Sequence, residues 1–391
     1  MKRLPSVDMF ELTRLTREGR LGEAMAMLRG EGPEPSGTPP SESREIDLSP
    51  PAHGEAAWAF VQGGGSGAPQ SGGGESPFAQ NMRSWMDRLS SADFGLRPLS
   101  EPTVVAEPGA GRFEARTFTG EAGSRDYKLY VPASFSGAPL PLIVMLHGCT
   151  QSPDDFAAGT RMNEVAEELG LFVAYPAQSK SANSSKCWNW FNGADQKRGR
   201  GEPSLIAGIT REIMAEFPVR DGQVFVAGLS AGGAAAAVMG ETYPDLFAAI
   251  GVHSGLACGA ARDMASAFGA MREGGAGTVS ARSGPILPTI VFHGDRDSTV
   301  HPLNADQVIA QAKADARLHT TVIKGAAPGG MPFTKSVALD EAGRPLLEQW
   351  TLHGAGHAWS GGSNAGTYTD PNGPDASREM ARFFLQCPPR A

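Results

Sequence analysis

The chain contains 391 residues, of which 40% are hydrophobic and 19% are charged, and its formal net charge is −8. An acidic chain without a basic stripe is not expected to bind nucleic acid, because the phosphate backbone attracts positive surfaces. No run of about 18 apolar residues occurs, so the sequence predicts no membrane-spanning helix. We therefore expect a mildly acidic globular protein.

Four cysteines lie far apart in the sequence, at positions 149, 187, 258 and 387. They include no C-x-x-C pair, so they predict neither a zinc site nor a dense disulfide framework. A single bridge between Cys149 and Cys187 stays open and would require an oxidising compartment. No metal and no cofactor are expected.

The N-terminal part of the chain differs in character from the rest. Residues 1–30 predict an amphipathic helix, because apolar residues recur at helical spacing between charged ones. This helix could dock on the chain's own larger domain or bind a partner, and both roles stay open. Residues 31–111 are rich in Gly, Pro and Ser, which predicts a disordered linker, with a further short helix at 78–90. The basic start lacks an apolar h-region, which predicts a cytoplasmic protein and leaves secretion open.

Residues 112–391 are expected to form an α/β domain. Apolar runs typical of buried strands, such as "PLPLIVMLHG", "QVFVAG" and "ILPTIVFHG", alternate with segments of helical periodicity. The helices are predicted at 153–169, 204–217, 231–241, 261–272 and 304–316. Such alternation is typical of right-handed crossovers, so we expect a mostly parallel sheet with helices on both faces.

Ser230 is the candidate nucleophile. It lies in "GLSAGG", between a predicted strand and a predicted helix. G-x-S-x-G alone is a weak signal in a chain with 50 glycines, but a serine at a sharp strand-to-helix turn is typical of a nucleophile elbow. Gly228 and Gly232 are expected there because a Cβ at either position would clash with the neighbouring helix or strand.

A serine nucleophile needs a base and an orienting acid, which follow it in the order acid, then histidine, on this kind of fold. "FHGDRDSTVHP" places two aspartates after a strand, and "GAGHAW" places a histidine in a later loop. We assign Asp297 as the acid, because Asp295 follows the strand directly and is expected to brace the turn. We assign His357 as the base, because His353 lies at a strand end and is expected to pack locally.

The negative oxygen that develops during acyl transfer requires preorganised N–H donors. One donor is expected from the residue that follows the nucleophile, Ala231. The other is expected from the loop after an early strand, "MLHGCTQ", where the N–H of Cys149 is our choice. His147 is expected to bond to the backbone in that loop rather than to take part in chemistry.

Five motifs together resemble the polyhydroxybutyrate depolymerase family of esterases, within the α/β-hydrolase superfamily. They are "LHGCTQ", "CWNWF", "GLSAGG", "FHGDRDSTVHP" and "GAGHAW", and the resemblance extends over residues 112–387. It implies an α/β-hydrolase fold and an ester hydrolase that forms an acyl-enzyme, with Ser230 as nucleophile, Asp297 as acid and His357 as base. The expected substrates are short-chain, hydroxybutyrate-type polyhydroxyalkanoate esters or their oligomers.

Aromatic side chains near the motifs are candidates for substrate binding. We assign Trp188, Trp190 and Trp359 to this role, together with Gln151 in the loop that carries Cys149.

Two other functions stay open. The resembling family also contains feruloyl and acetylxylan esterases, and the motifs do not separate these substrates. A non-enzymatic alternative is a protein that associates with polymer granules through the N-terminal helix. An ordered Ser, Asp and His set disfavours that alternative, because a binding module does not need it.

Overall fold

The computed structural model describes residues 111–275, 286–313 and 317–387. The predicted helix at 1–30, the linker up to residue 110 and the short helix at 78–90 lie outside the described residues. Within those residues, no helix is long and apolar enough to cross a bilayer.

The described residues form one ten-stranded mixed sheet and a small two-stranded sheet. The strands are β1 (Arg112–Gly120), β2 (Gly123–Val131), β3 (Leu140–Leu146), β4 (Phe172–Pro176), β5 (Val219–Leu229), β6 (Ala249–His253), β7 (Thr289–Gly294), β8 (His319–Ala326), β9 (Pro332–Leu339), β10 (Pro345–Leu352), β11 (Trp359–Ser360) and β12 (Thr369–Asp370). The large sheet has the order β1-β2-β4-β3-β5-β6-β7-β10-β9-β8. Its six central strands run parallel, and they are β4, β3, β5, β6, β7 and β10. An antiparallel pair extends each end, β1 with β2 and β9 with β8.

Seven α-helices connect or follow these strands in the described residues. They are α1 (Pro153–Thr160), α2 (Met162–Leu169), α3 (Gly201–Glu216), α4 (Ala231–Thr242), α5 (Met264–Glu273), α6 (Leu303–Lys313) and α7 (Ala376–Gln386). The mostly parallel sheet that the sequence predicts is confirmed.

Both faces of the sheet are buried. In β3, Leu142 and Val144 belong to one apolar core, whereas Ile143 and Met145 belong to the other, because alternate side chains point to opposite faces. The first core contains side chains of α3, α4, α5 and α6, and the second contains side chains of α1, α2 and α7. Strands buried on both sides explain the continuous apolar runs in the sequence.

Some elements of the structure differ from those that the sequence predicts. The predicted helix at 153–169 is two helices, because Arg161 adopts a left-handed conformation with φ of 56° and ends α1. Strands β1, β9, β11 and β12 and helix α7 lie where the sequence predicts no element. Helix α7 does carry a local start signal, since the Asp375 carboxylate caps the N–H of Arg378 at 2.9 Å.

The parallel strands place several loops at one edge of the sheet. Strands β3, β5, β7 and β10 all run in the same direction, so their carboxyl ends meet there. In open α/β sheets, ligands bind at this edge. The loops after these four strands carry Cys149, Ser230, Asp297 and His357.

Candidate active site

Ser230 forms the turn between β5 and α4. Its backbone has φ of 57° and ψ of −118°, which a residue with a side chain rarely adopts. The surrounding chain holds this conformation, because the Ser230 N–H donates to the carbonyl oxygen of His253 at 2.9 Å and α4 begins at the next residue. Strained backbone of this kind is concentrated at functional sites.

Two glycines allow the turn to pack closely. A Cβ on Gly232 would lie 2.0 Å from the carbonyl oxygen of Leu146, at the end of β3. A Cβ on Gly228 would lie 2.4 Å from the backbone of Gly232. The clashes that the sequence predicts at both positions are therefore confirmed.

Asp297 and His357 form a hydrogen-bonded pair. The Nδ1 atom of His357 lies 2.7 Å from Oδ2 of Asp297. The other carboxylate oxygen accepts the N–H groups of Thr299 and Val300, each at 2.9 Å. Asp297 is only 5% exposed, and burial opposes its ionisation. The neighbouring His357 and His293 and the Val300 N–H outweigh burial and lower the pKa of Asp297 to about 2.

A second Asp–His pair lies close by. Asp295 Oδ2 lies 2.9 Å from Nδ1 of His353, and its other oxygen accepts the N–H of Gly354 at 2.7 Å. The side chains of this pair are 38% and 41% exposed, and His353 Nε2 contacts the Thr334 hydroxyl at 2.8 Å. These contacts join the ends of β7 and β10 to each other and to β9, which fits a turn-bracing role.

Ser230 and His357 line one cavity, whose volume is about 790 Å³ including the part open to solvent. The wall is mostly apolar. Its side chains outside the loops of Ser230 and His357 include Trp190, Phe191, Leu256, Met264, Phe268, Met271, Val300 and Tyr368. The pair formed by Asp295 and His353 does not line this cavity. The arrangement brings a hydroxyl, an imidazole and an apolar surface together.

The two residues expected to supply N–H donors, Cys149 and Ala231, also line the cavity. The neighbouring N–H groups have partners within the protein: Gly148 donates to Gln151 Oε1 at 2.9 Å and Thr150 to the carbonyl of Ser185 at 2.7 Å. The loop between β3 and α1 is thus fixed on both sides of Cys149.

His147 stabilises the same loop from behind. Its Nε2 accepts the N–H of Gln178 at 3.0 Å, so the proton resides on Nδ1, which donates to the carbonyl of Gly148 at 2.7 Å. Burial lowers the pKa of His147 to about 4, which keeps the ring neutral. His147 therefore has the backbone-bonding role that the sequence analysis expects.

Cys149 and Cys187 form a disulfide bond. It joins the loop after β3 to the segment that follows β4, across 38 residues of sequence. The pairing left open by the sequence is therefore present in the structure, and both cysteines line the cavity.

Of the four side chains assigned to substrate binding, only Trp190 lines the cavity. Trp188 is fully buried and donates Nε1–H to the carbonyl of His147 at 3.1 Å. Trp359 is buried, stacks on His253 and donates to Ser377 Oγ at 3.1 Å. Gln151 uses its amide to fix the loop, as described above. These three side chains do not line the cavity, and their polar atoms bond within the protein.

Helix α5 contributes to the cavity wall, which the sequence did not predict. Met264, Phe268 and Met271 recur at helical spacing and line it together. The spacing is visible in the sequence, but an apolar helical face is equally compatible with a core contact. Tyr368, between β11 and β12, was also missed, because no local signal marks its loop.

Comparisons with known proteins identify the family of the chain. The family model "Esterase PHB depolymerase", where PHB is polyhydroxybutyrate, matches residues 125–327. Poly(3-hydroxyalkanoate) depolymerase C of Paucimonas lemoignei is 33% identical over 249 residues, which is 60% of this chain and 58% of that protein. The probable acetylxylan esterase A of Aspergillus clavatus is 31% identical over 55% of this chain and 75% of its own. The chain thus spans less than two thirds of the length of the depolymerase.

A solved structure supports the fold. Acetyl xylan esterase from Aspergillus awamori aligns with a TM-score of 0.56 and 22% identity, over 71% of this chain and 100% of its own. This confirms the predicted α/β-hydrolase fold. Because the family model matches just over half of the chain, from β2 to the end of β8, the chain belongs to the esterase PHB depolymerase family.

Proposed function

We propose that this protein is a serine ester hydrolase that works through an acyl-enzyme. The proposal rests on the hydrogen-bonded pair of His357 and Asp297. Nδ1 of His357 lies 2.7 Å from Oδ2 of Asp297, and the His357 imidazole lines the same cavity as Ser230. Membership of an esterase family supports the reaction class.

In the proposed reaction, the Ser230 hydroxyl oxygen attacks the ester carbonyl carbon. Nε2 of His357 accepts the hydroxyl proton, while Nδ1–H remains bonded to the Asp297 carboxylate. The N–H groups of Ala231 and Cys149 stabilise the negative oxygen of the tetrahedral intermediate. His357 then donates the proton to the departing alcohol. Water, activated by the same imidazole, attacks the acyl-enzyme and releases the acid.

We further propose short-chain hydroxyalkanoate esters or their oligomers as the substrates. The apolar wall that contains Trp190, Leu256 and Val300 fits an aliphatic chain better than a sugar, which needs many polar partners. The depolymerase similarity supports the same choice. The acetylxylan esterase similarity keeps a carbohydrate ester as the second candidate.

The test of the reaction class is Ser230→Ala. This variant is expected to lose nearly all turnover of p-nitrophenyl butyrate while keeping the melting temperature of the wild type. A folded variant that retains wild-type turnover would reject Ser230 as the nucleophile. The substrate class is tested by comparing hydroxybutyrate oligomers with acetylated xylan and methyl ferulate. Faster turnover of acetylated xylan or methyl ferulate would favour an acetylxylan or feruloyl esterase.

Attachment to polymer granules through residues 1–30 is a separate proposal that rests on the helical periodicity of that segment. A chain without residues 1–110 is expected to keep turnover of soluble esters and to lose sedimentation with granules. Unchanged sedimentation would remove the targeting role.

The Cys149–Cys187 disulfide supports action in an oxidising compartment, because such bonds are rare in the reducing cytoplasm. This proposal differs from the cytoplasmic location that the N-terminus suggests. Mass spectrometry after alkylation of the protein from its native cells would decide, since two alkylated cysteines at these positions would favour the cytoplasm.

A further inference from the structure

Two buried charged side chains behind the cavity are not used by the proposed reaction. Glu202, the second residue of α3, is 7% exposed, and Arg125 on β2 is 6% exposed. Buried charges are costly unless they are paired and hydrogen-bonded, so the burial of these two side chains requires an explanation.

The Glu202 carboxylate accepts hydrogen bonds from three N–H donors. One carboxylate oxygen accepts the backbone N–H of Asn189 at 2.7 Å, and the other accepts Asn189 Nδ2 at 2.7 Å. The second oxygen also accepts the side-chain amide of Gln178. Three donors on two oxygens suit a carboxylate, and charge-assisted hydrogen bonds are stronger than neutral ones.

Gln178 extends this network toward the loop after β3. Its Oε1 accepts a guanidinium N–H of Arg125, and its Nε2 donates to the carbonyl of Cys187 at 2.9 Å. Its backbone N–H donates to His147 Nε2 at 3.0 Å. The network therefore contacts the loop of His147 and Cys149 and also the segment that begins at Cys187.

That segment forms part of the cavity wall. Cys187, Trp190 and Phe191 line the cavity, and Asn189, which Glu202 holds by two hydrogen bonds, lies between them in sequence. The disulfide joins the segment to Cys149, whose N–H is the proposed donor to the negative oxygen. Asn189, which bonds to Glu202, thus lies within two residues of Cys187, Trp190 and Phe191 in the cavity wall.

We propose that Glu202 is a positioning residue for ester hydrolysis. Its carboxylate holds residues 187–190 in place and, through the Cys149–Cys187 disulfide, fixes the Cys149 N–H at the cavity. Glu202 does not touch substrate. This role rests on the proposed function, because it concerns the geometry of that reaction. Displacement of a catalytic group by about 1 Å costs roughly 100-fold in rate, so loosening this segment lowers kcat.

The test compares Glu202→Ala and Glu202→Gln with Glu216→Gln as the matched control. Glu216 lies on the same helix, but it is exposed and bonds to Arg116 at the surface. Turnover of p-nitrophenyl butyrate is measured at pH 8, because burial raises the pKa of Glu202 to about 7 and the carboxylate is ionised above that pH. Glu202→Ala is expected to lower kcat at least about tenfold with KM within about threefold. Glu202→Gln keeps one oxygen acceptor and is expected to restore part of kcat, and the control is expected to match the wild type.

Near-ultraviolet circular dichroism gives a second measurement, because Trp188 and Trp190 lie in the segment that Glu202 holds. Their signal is expected to weaken in Glu202→Ala and to be unchanged in the control. A folded Glu202→Ala variant with wild-type kcat and an unchanged tryptophan signal would overturn the proposal.

If Glu202→Ala does not fold, the positioning role is tested with Asn189→Ala. This variant removes the Nδ2 donor to Glu202 together with the Oδ1 atom that accepts a hydrogen bond from Asn183, and it leaves the backbone N–H in place. A fall in kcat of about threefold or more is expected. A wild-type kcat in this variant would overturn the proposal. Failure of the proposed function is distinguishable, because the wild-type protein itself would then hydrolyse none of the esters.

Discussion

The imidazole of His357 lies 2.7 Å from the carboxylate of Asp297, although 60 residues separate them in sequence. A second pair, His353 and Asp295, has almost the same spacing at 2.9 Å. The two pairs differ in burial. The side chains of His357 and Asp297 are 12% and 0% exposed, whereas those of His353 and Asp295 are 41% and 38% exposed. Only His357 lines the cavity that contains Ser230. Location at the cavity, rather than the presence of a pair, therefore selects the candidate base.

The two aspartates provide an internal comparison. Asp297→Asn is expected to lower kcat by about 1,000-fold or more, because an amide no longer holds His357 in the tautomer that accepts the Ser230 proton. Asp295→Asn is expected to change kcat by less than about threefold, since its partner lies outside the cavity. Steady-state kinetics on p-nitrophenyl butyrate measure both. A larger loss of kcat in Asp295→Asn than in Asp297→Asn would assign the acid role to Asp295.

The turn at Ser230 depends on the lack of a side chain at Gly232. Gly232→Ala is expected to lower the melting temperature and abolish turnover, because the new Cβ would lie 2.0 Å from a backbone oxygen that cannot move freely. Gly269→Ala in α5 is the control, since no atom lies within 4 Å of its Cβ position. Alanine favours a helix over glycine by about 1 kcal/mol, so this control is expected to be as stable as the wild type or more so. A stable, active Gly232→Ala variant would contradict the described turn.

The apolar face of α5 is expected to set the preference for chain length. Met271→Ala removes aliphatic contacts from the cavity wall, so kcat/KM for p-nitrophenyl hexanoate is expected to fall about fivefold, and that for the acetate less than twofold. Arg272→Ala is the control, because Arg272 is exposed and does not line the cavity. Equal losses on both esters would show that Met271 does not contact the chain.

The buried Glu202 predicts a specific dependence of stability on pH. Burial raises its pKa from 4.5 to about 7, and Asp195 adds to the shift, whereas the Asn189 N–H, the Gln178 amide and Arg125 oppose it. A carboxyl whose pKa rises on folding stabilises the protein below its unfolded pKa, and this stability is lost as pH rises through the folded pKa. We therefore compare the free energy of unfolding of the wild type with that of Glu202→Gln. The wild-type value relative to the variant is expected to fall by about 3 kcal/mol between about pH 4.5 and pH 7 and then to level off.

Melting temperatures of the wild type and of Glu202→Gln at pH 5, 6, 7 and 8 measure this difference. Glu216→Gln is again the control: Arg116 lowers the pKa of Glu216, so its difference from the wild type is expected to be constant over that range. A constant difference between the wild type and Glu202→Gln would show that Glu202 titrates below pH 5.

The amino-acid sequence was sufficient to predict the central strands and the helices between them. Continuous apolar runs such as residues 140–146 require burial on both faces, and apolar residues at helical spacing require a helix against the sheet. The strand, serine turn and helix around Ser230 follow from residues within about ten positions of one another. These features depend on local hydrogen bonding and side-chain periodicity, which short stretches of sequence encode.

Only the tertiary structure decided which distant side chains meet. It placed Trp190 at the cavity but Trp188 behind it, paired Cys149 with Cys187, and enclosed Glu202 among N–H donors. Sequence spacing does not encode these outcomes, because each depends on how loops from separate strands pack at one edge of the sheet. Burial and long-range hydrogen bonds arise only when the whole sheet has formed.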